Sequence, residues 1–183
     1  MHVNDLIAGC INGGQRYFDE LYEVYSRRLY GICLRYSADQ EEAKDILQDG
    51  FVKLFGQLKK FDSTKGSFEG WIKRMFVNHA IDYYRKRKKQ PEFVSSEDFA
   101  EEIHPEEEEL QYDLSENEIL ELIRALPDGY RMVFNLFVIE ELSHKEISMI
   151  LGISENTSKS QFHKARKMLR EKIEQLLLVN HKK

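Results

Sequence analysis

Two stretches of this chain group cations and hydrogen-bonding side chains at helical spacing. The first runs from Ser67 to Lys89. At about 100° per residue, Trp71, Arg74, Asn78, Asp82, Arg85 and Lys89 fall on one stripe, with Ile72, Phe76, Ala80 and Tyr83 roughly opposite as core. An aromatic on such a stripe offers a stacking face to an unpaired base, and the cations track phosphates. Stacking of that kind contributes roughly 1–3 kcal/mol per base, comparable to the few kcal/mol needed to extrude a base from a duplex. The second stretch runs from Leu142 to Arg170. Ser143 and Glu146 form a capping box at a helix start, Gly152 suits the left-handed residue that ends the helix, and Ser154 caps the next one. In that next helix Phe162, Ala165, Leu169, Ile173 and Leu176 make the buried stripe, while Lys159, Ser160, His163, Lys164, Arg166, Lys167 and Arg170 spread over the rest. A short helix, a glycine turn and a cationic helix lay the second helix in a DNA major groove. Taken singly, each feature has a plainer reading. Trp71 suits a half-buried core anchor, Arg85 to Lys89 a solvated helix end, and Asp82 a partner for neighbouring cations.

These faces need helices to hold them, and apolar periodicity supplies the helices. Phe18, Leu21, Tyr22, Tyr25, Leu29, Ile32 and Cys33 share one face over about 15–37. Asp39 and Glu42 cap a second helix, through Lys60, whose apolar positions are Ala43, Ile46, Leu47, Phe51, Leu54, Phe55 and Leu58. A turn-rich loop, Phe61 to Ser67, leads into the third helix, which Pro91 ends. From Pro91 to about Ser115 the pattern fails, and the acidic, apolar-poor composition predicts a flexible tether. Ser115 and Glu118 then cap a helix carrying Ile119, Leu120, Leu122, Ile123 and Leu126. Pro127 breaks it, and a helix restarts over Tyr130 to Val138. The expected fold class is all-α, with two small helical domains, 1–90 and 116–183, joined by a flexible acidic linker, 91–115.

The 183 residues carry a formal charge of −5, but its distribution matters more than the total. Residues 1–89 hold 16 Lys and Arg against 12 Asp and Glu; residues 90–118 hold 12 acidic residues and no Lys or Arg; residues 119–183 hold 11 basic against 8 acidic. Two mildly basic lobes therefore flank an anionic strip. No apolar run approaches the roughly 20 residues of a membrane helix. The start lacks the basic opening and apolar run of a signal peptide. The expectation is a cytoplasmic protein with no membrane insertion of its own. Cys10 and Cys33 are too few and too far apart for a metal knuckle or a disulfide framework. The histidines at 2, 79, 104, 144, 163 and 181 are scattered, and no Gly-rich phosphate loop appears. No metal, cofactor or catalytic residue is expected.

With these motifs in this order, the chain resembles a bacterial RNA polymerase sigma factor of the extracytoplasmic-function (ECF, group 4) subfamily, over about residues 8–180. The run Asp45-Ile46-Leu47-Gln48-Asp49-Gly50-Phe51-Val52-Lys53-Leu54-Phe55 is similar to the region 2 segment that binds the polymerase clamp helices. Phe61 to Trp71 resembles the loop that captures a flipped base of the −10 element. Trp71 to Arg87 resembles the −10-recognition helix, and Leu126-Pro127 through Arg166 the −35-binding region 4 module. The resemblance implies that Asp45, Gln48, Asp49, Phe51, Leu54 and Phe55 hold core RNA polymerase. It implies that Lys65, Phe68, Trp71, Arg74, Asn78, Asp82, Tyr83, Arg85 and Arg87 meet −10 DNA, and that Ser158, Lys159, Ser160, Gln161, His163, Lys164 and Arg166 meet −35 DNA. The implied function is an alternative sigma factor that recognises both promoter elements and promotes melting, while polymerase makes the phosphodiester bonds. An anti-sigma factor is implied as a further partner. Many relatives have Thr-Val-Lys-Ser-Arg where this chain has Thr157-Ser158-Lys159-Ser160-Gln161, a departure expected to weaken contact there. Relatives thread the linker through the RNA exit path, so Glu106 to Glu109 are expected in a basic channel in place of RNA. Extended, the tether of about 25 residues spans up to roughly 80 Å, more than two DNA turns of roughly 34–36 Å. One competing reading is a stand-alone helix-turn-helix regulator with a helical effector or dimerisation domain. A nucleic-acid enzyme is the weaker alternative, since no metal-site cluster supports it.

Overall fold

The computed structural model describes residues 2–88 and 114–180. Lys89 and nearly all of the expected tether, Glu106 to Glu109 included, lie outside the described residues. Within them every regular element is helical. The chain divides into two compact units, Met1–Lys89 and Gln90–Lys183.

The first unit contains α1 (Val3–Ile11), α2 (Gln15–Tyr36), α3 (Gln40–Gln57) with a single 3-10 turn after it (Leu58–Lys60), and α4 (Phe68–Lys88). α3 begins at the expected cap: the Asp39 carboxylate accepts from the Glu42 amide at 2.8 Å. α2, α3 and α4 pack against one another, and α1 lies on α2. Leu21, Leu29, Ile46, Leu54, Ile72 and Phe76 are buried between them. Gly50 sits mid-helix, where glycine costs about 1 kcal/mol relative to alanine. A Cβ there would lie 2.5 Å from the Phe76 ring, so close approach of α3 to α4 requires the bare backbone. α1 was not marked by periodicity; it brings Leu6, Ile7 and Cys10 into the core. Burial pushes the Cys33 thiol up to about 12, so it stays protonated and behaves as a small apolar residue.

The second unit contains α5 (Glu116–Arg124), α6 (Asp128–Phe134), a π-helical stretch (Asn135–Ile139), α7 (His144–Leu151) and α8 (Glu155–Asn180). Ser115 with Glu118 and Ser143 with Glu146 both close reciprocal capping boxes. Hydrogen bonds from the serines hold both glutamates below the usual carboxylate range. Gly152 ends α7 at φ 66°, ψ 38°, the left-handed region where glycine meets no Cβ penalty. Ser154 Oγ accepts from the Thr157 amide at 2.9 Å and opens α8. Leu122, Leu126, Ala165 and Leu169 form a core cluster.

The helix expected over Tyr130 to Val138 is not uniform. α6 widens after Phe134, where the Glu140 amide reaches back five residues to the Asn135 carbonyl at 3.1 Å. Asn135 is wholly buried at this point, and its side-chain amide donates to the Arg131 carbonyl at 2.9 Å. A side chain entering the backbone ladder is one of the recognised companions of such a distortion. Beneath it Arg131, 2% exposed, pairs with Asp128 and donates to the Leu126 carbonyl at 2.8 Å and the Arg124 carbonyl at 3.1 Å.

Candidate nucleic-acid interface

The loop before α4 is fastened at both ends. The Asp62 carboxylate accepts from the Thr64 amide at 3.0 Å and its hydroxyl at 2.7 Å, with Lys65 Nζ 3.5 Å away. Ser67 Oγ accepts from the Gly70 amide at 3.1 Å and caps α4. Three rings then gather at the first turn. Trp71 lies 5.8 Å from Phe68, near parallel at 30°, and 5.6 Å from Phe61. Phe68 is buried beneath, while Trp71 is half-buried. Beyond this cluster Arg74, Asn78 and Arg85 are exposed along α4.

Other polar residues of α4 turn to α3. Asp82 lies 3.5 Å from Lys53, and Arg87 Nη1 lies 2.5 Å from Glu42 Oε1. Tyr83 is half-buried beside them, its hydroxyl pushed up first by burial and then by Glu42. His79 sits in the same seam, with its Nε2 buried and without a hydrogen-bond partner among the described residues. Burial, reinforced by Lys53, pushes its imidazole below the usual value.

The outer face of α3 is different in character. Asp45, Gln48 and Asp49 are exposed. Val52, 70% exposed, completes their i, i+3, i+4, i+7 stripe. An apolar side chain rimmed by carboxylates suits a protein partner better than DNA. Phe55 is half-buried edge-on against Phe18 at 4.7 Å.

In the second unit, α7 and α8 are joined by a polar bond inside an aromatic box. His144 Nδ1 is hydrogen-bonded to Ser158 Oγ at 2.9 Å. The imidazole stacks on Phe137 at 4.5 Å and 16°, with Phe162 at 5.7 Å. Burial and then Lys159 lower its pKa. Around α8, Lys159 pairs with Glu155 at 2.8 Å, and Ser160 Oγ donates to the Thr157 carbonyl at 3.0 Å. The Gln161 amide lies over Gly129 at the start of α6. His163 and Lys164 are half-exposed and Arg166 exposed, its guanidinium 5.7 Å from the Phe162 centroid.

Two family descriptions match this chain: "Sigma-70 region 2" over residues 21–90 and "Sigma-70, region 4" over residues 116–169. The chain is 33% identical to the ECF RNA polymerase sigma factor SigW of Bacillus subtilis (strain 168), across 96% of this chain and 99% of SigW. This chain belongs to the ECF RNA polymerase sigma factors. It is 32% identical to SigM of the same organism, across 83% of this chain and 92% of SigM. Among solved structures it is similar to the sigma factor RpoE, in complex with the anti-sigma factor NepR, from Bartonella quintana. There the identity is 21% and the TM-score 0.47, covering 84% of this chain and 94% of that one. The chain is thus an alternative sigma factor with region 2 in its first unit and region 4 in its second.

In this sigma factor, four expected contact residues are closed to an outside partner. Phe51 and Leu54 face inward from α3, Phe51 edge-on against Phe76 at 5.5 Å. Phe68 lies under Trp71, and Ser158 spends its hydroxyl on His144. These residues shape the faces from behind. Asp82 and Arg87 are also spoken for, by Lys53 and Glu42. Val52 lies within the run that resembles the clamp-binding segment but outside the expected contact residues; its place beside Asp45, Gln48 and Asp49 on the helical wheel was the available signal.

The two histidines make stability depend on pH. Both folded-state values lie below the ordinary one of about 6.5. Below that pH the unfolded chain binds more protons than the folded chain. Their contribution is therefore fully present above about pH 6.5 and is lost as pH falls through the folded values. Thermal melts by circular dichroism between pH 7 and 5 should show a declining midpoint. In a His79→Gln/His144→Gln variant the slope should flatten. An unchanged slope would remove both groups from the account.

Proposed function

We propose that this sigma factor holds core RNA polymerase on the outer face of α3, −10 DNA on the exposed face of α4, and −35 DNA on α8. The observation that carries this reading is the alignment of Arg74, Asn78 and Arg85 beyond the Trp71 ring cluster. The arginines follow phosphates, and the Asn78 amide can both donate to and accept from a base edge. Lys65 lies at the loop's exposed tip, where it meets backbone. Asp82 and Arg87 serve as braces, and Tyr83 packs beside them. In region 4, Lys159, Ser160 and His163 turn toward the upstream groove, with Lys164 and Arg166 near phosphate, while Gln161 packs over Gly129 and supports that face from behind. Neither unit needs to bind tightly alone, because linking two weak sites raises the effective affinity of both. The chain itself makes no bond; polymerase supplies the chemistry. This reading places the protein in the cytoplasm, with an anti-sigma factor that covers these faces as its regulator.

Co-purification with core polymerase, followed by run-off transcription and mapping of transcript 5′ ends, tests the whole reading. Two substitutions separate the roles. Asp49→Ala should weaken polymerase binding and spare upstream duplex. Lys159→Ala should weaken upstream duplex, lower the salt dependence of binding by about one counterion, and spare polymerase. Tight duplex binding with no affinity for polymerase would instead favour a stand-alone regulator.

A further inference from the structure

A polar contact between α7 and α8 contains a group that can change charge. His144, the first residue of α7, is part-exposed. Its Nδ1 is hydrogen-bonded at 2.9 Å to the hydroxyl of Ser158, a wholly buried residue of α8. Rings clamp the imidazole around that bond. Phe137 stacks on it at 4.5 Å, and Phe162 lies 5.7 Å from it and 4.4 Å from Phe137. Ser158 and Phe162 are four residues apart, so one face of α8 supplies both the anchor and a wall. With Nδ1 given to Ser158, Nε2 is the nitrogen left for an outside partner.

Charged groups surround this box on several elements. On α8, Lys159 follows Ser158 directly and pairs with Glu155 at 2.8 Å. Burial disfavours the imidazolium first, then Lys159 does, while Glu155 favours it. Farther along α8, the Arg166 guanidinium lies 5.7 Å from the Phe162 centroid. α7 contributes Lys145, which acts on Glu155, and Glu146, which turns its carboxylate back to Ser143. The π-helical stretch presents the uncharged Phe137 ring, with Glu140 and Glu141 following it. A neutral ring beside a cation is therefore the favoured state of the unbound protein at neutral pH. A phosphate reverses the balance: it pairs with Lys159, which relieves the repulsion, and it brings a negative charge to the ring.

We propose that His144 is a further contact of upstream DNA, positioned by Ser158 and protonated from solvent when its Nε2 meets a backbone phosphate. The proposal rests on the reading that α8 holds −35 DNA. The first helix of such a pair crosses the backbone beside the groove that receives the second. In the unbound chain the Ser158 hydroxyl donates to Nδ1, which sets the ring hydrogen on Nε2. On DNA a proton from water adds at Nδ1, the new N–H donates to Ser158 Oγ, and the hydroxyl hydrogen turns to a carbonyl of the preceding turn. The contact survives the change of charge, and the ring does not have to move. Ser158 is thus a positioning residue: it stays buried, yet it gives Nδ1 a partner in either protonation state. Upstream affinity is lowest at high pH, rises as pH falls through the bound-state value, and levels off below the unbound one.

The test uses holoenzyme assembled from the full chain and core polymerase. Every protein carries His163→Gln, so that the other histidine of this face does not titrate. The probe is a fluorescein-labelled duplex with the −35 element of a promoter identified by transcript mapping. Between pH 8 and pH 6 the reference protein should gain about fivefold in affinity, most of the roughly tenfold that one charge-assisted contact supplies. Over the same range the dependence of log affinity on log salt should steepen by about one phosphate contact. His144→Gln keeps an amide that donates to phosphate but does not titrate, so both changes should vanish. His144→Phe keeps the stack on Phe137 and makes the same test if circular dichroism shows that the glutamine variant melts early. Ser158→Ala should also abolish the gain, because the imidazolium would then hold a buried N–H without an acceptor. A merely structural Ser158 would instead lower affinity equally at every pH, which would overturn its positioning role. A flat profile in the reference protein would overturn the proposal. So would a gain that survives both His144 substitutions, since it would belong to another group. Lys159→Ala tests the underlying reading separately: if it leaves the affinity at pH 8 unchanged, the −35 assignment fails, whatever the pH profile does.

Discussion

Phe76→Ala is expected to destabilise region 2 by about 3–5 kcal/mol. Phe76 is wholly buried, meets Phe51 edge-on, and fills the space left by Gly50. Truncation leaves a cavity beside Gly50, which has no side chain to move into the gap. Domains of this size are held by only about 5–15 kcal/mol, so the variant should lie near the edge of folding at physiological temperature. Trp71 is the sole tryptophan of the chain and lies in region 2. A urea titration followed by its fluorescence reports that unit. A midpoint indistinguishable from the parent's would mean that the core tolerates the void. Polymerase and −10 binding should fall together, because both faces hang on the same helix pair.

Asp128→Ala is expected to destabilise region 4 by about 2–4 kcal/mol, the scale of breaking a largely buried ion pair from one side. It removes the carboxylate partner of Arg131, a guanidinium only 2% exposed. Breaking a buried pair from one side strands the remaining charge. The cost falls short of the upper limit because two carbonyls still accept from Arg131 and Asp128 itself is partly exposed. Hydrogen exchange should accelerate across α6 and α7, while the Trp71 fluorescence transition stays in place. Unchanged exchange across α6 and α7 would overturn this expectation.

Most of the scaffold was legible because its signals are local. Ser115 with Glu118, Ser143 with Glu146, and Gly152 each act within one turn of helix, so the residues alone locate the ends. The exposed stripe of Arg74, Asn78 and Arg85 follows from the helical repeat. α1 was not legible: it is nine residues long, and its buried side chains, Leu6, Ile7 and Cys10, are too few to establish a period. The widening at Asn135 depends on an amide that reads as surface polar. Ser158 misled for the same reason. A hydroxyl on a cationic helix suggests a groove contact, yet its partner is His144, fourteen residues earlier on another helix. The chain buries this serine and sets a ring nitrogen of His144 beside its hydroxyl. Pairings across 45 residues, such as Glu42 with Arg87, leave no periodic trace at all.

The braces between α3 and α4 have a mechanical consequence. Glu42 fastens Arg87 at one end of the pair, and Lys53 fastens Asp82 farther along. Helix α4 has 21 residues, so it is about 30 Å long. A tilt of about 10° at one end would swing the other through about 5 Å, enough to misplace a stacked ring. Cross-bracing opposes that lever, so, under the proposed assignment of these faces, the angle at which the transcribing enzyme seats α3 would also set where strand separation begins.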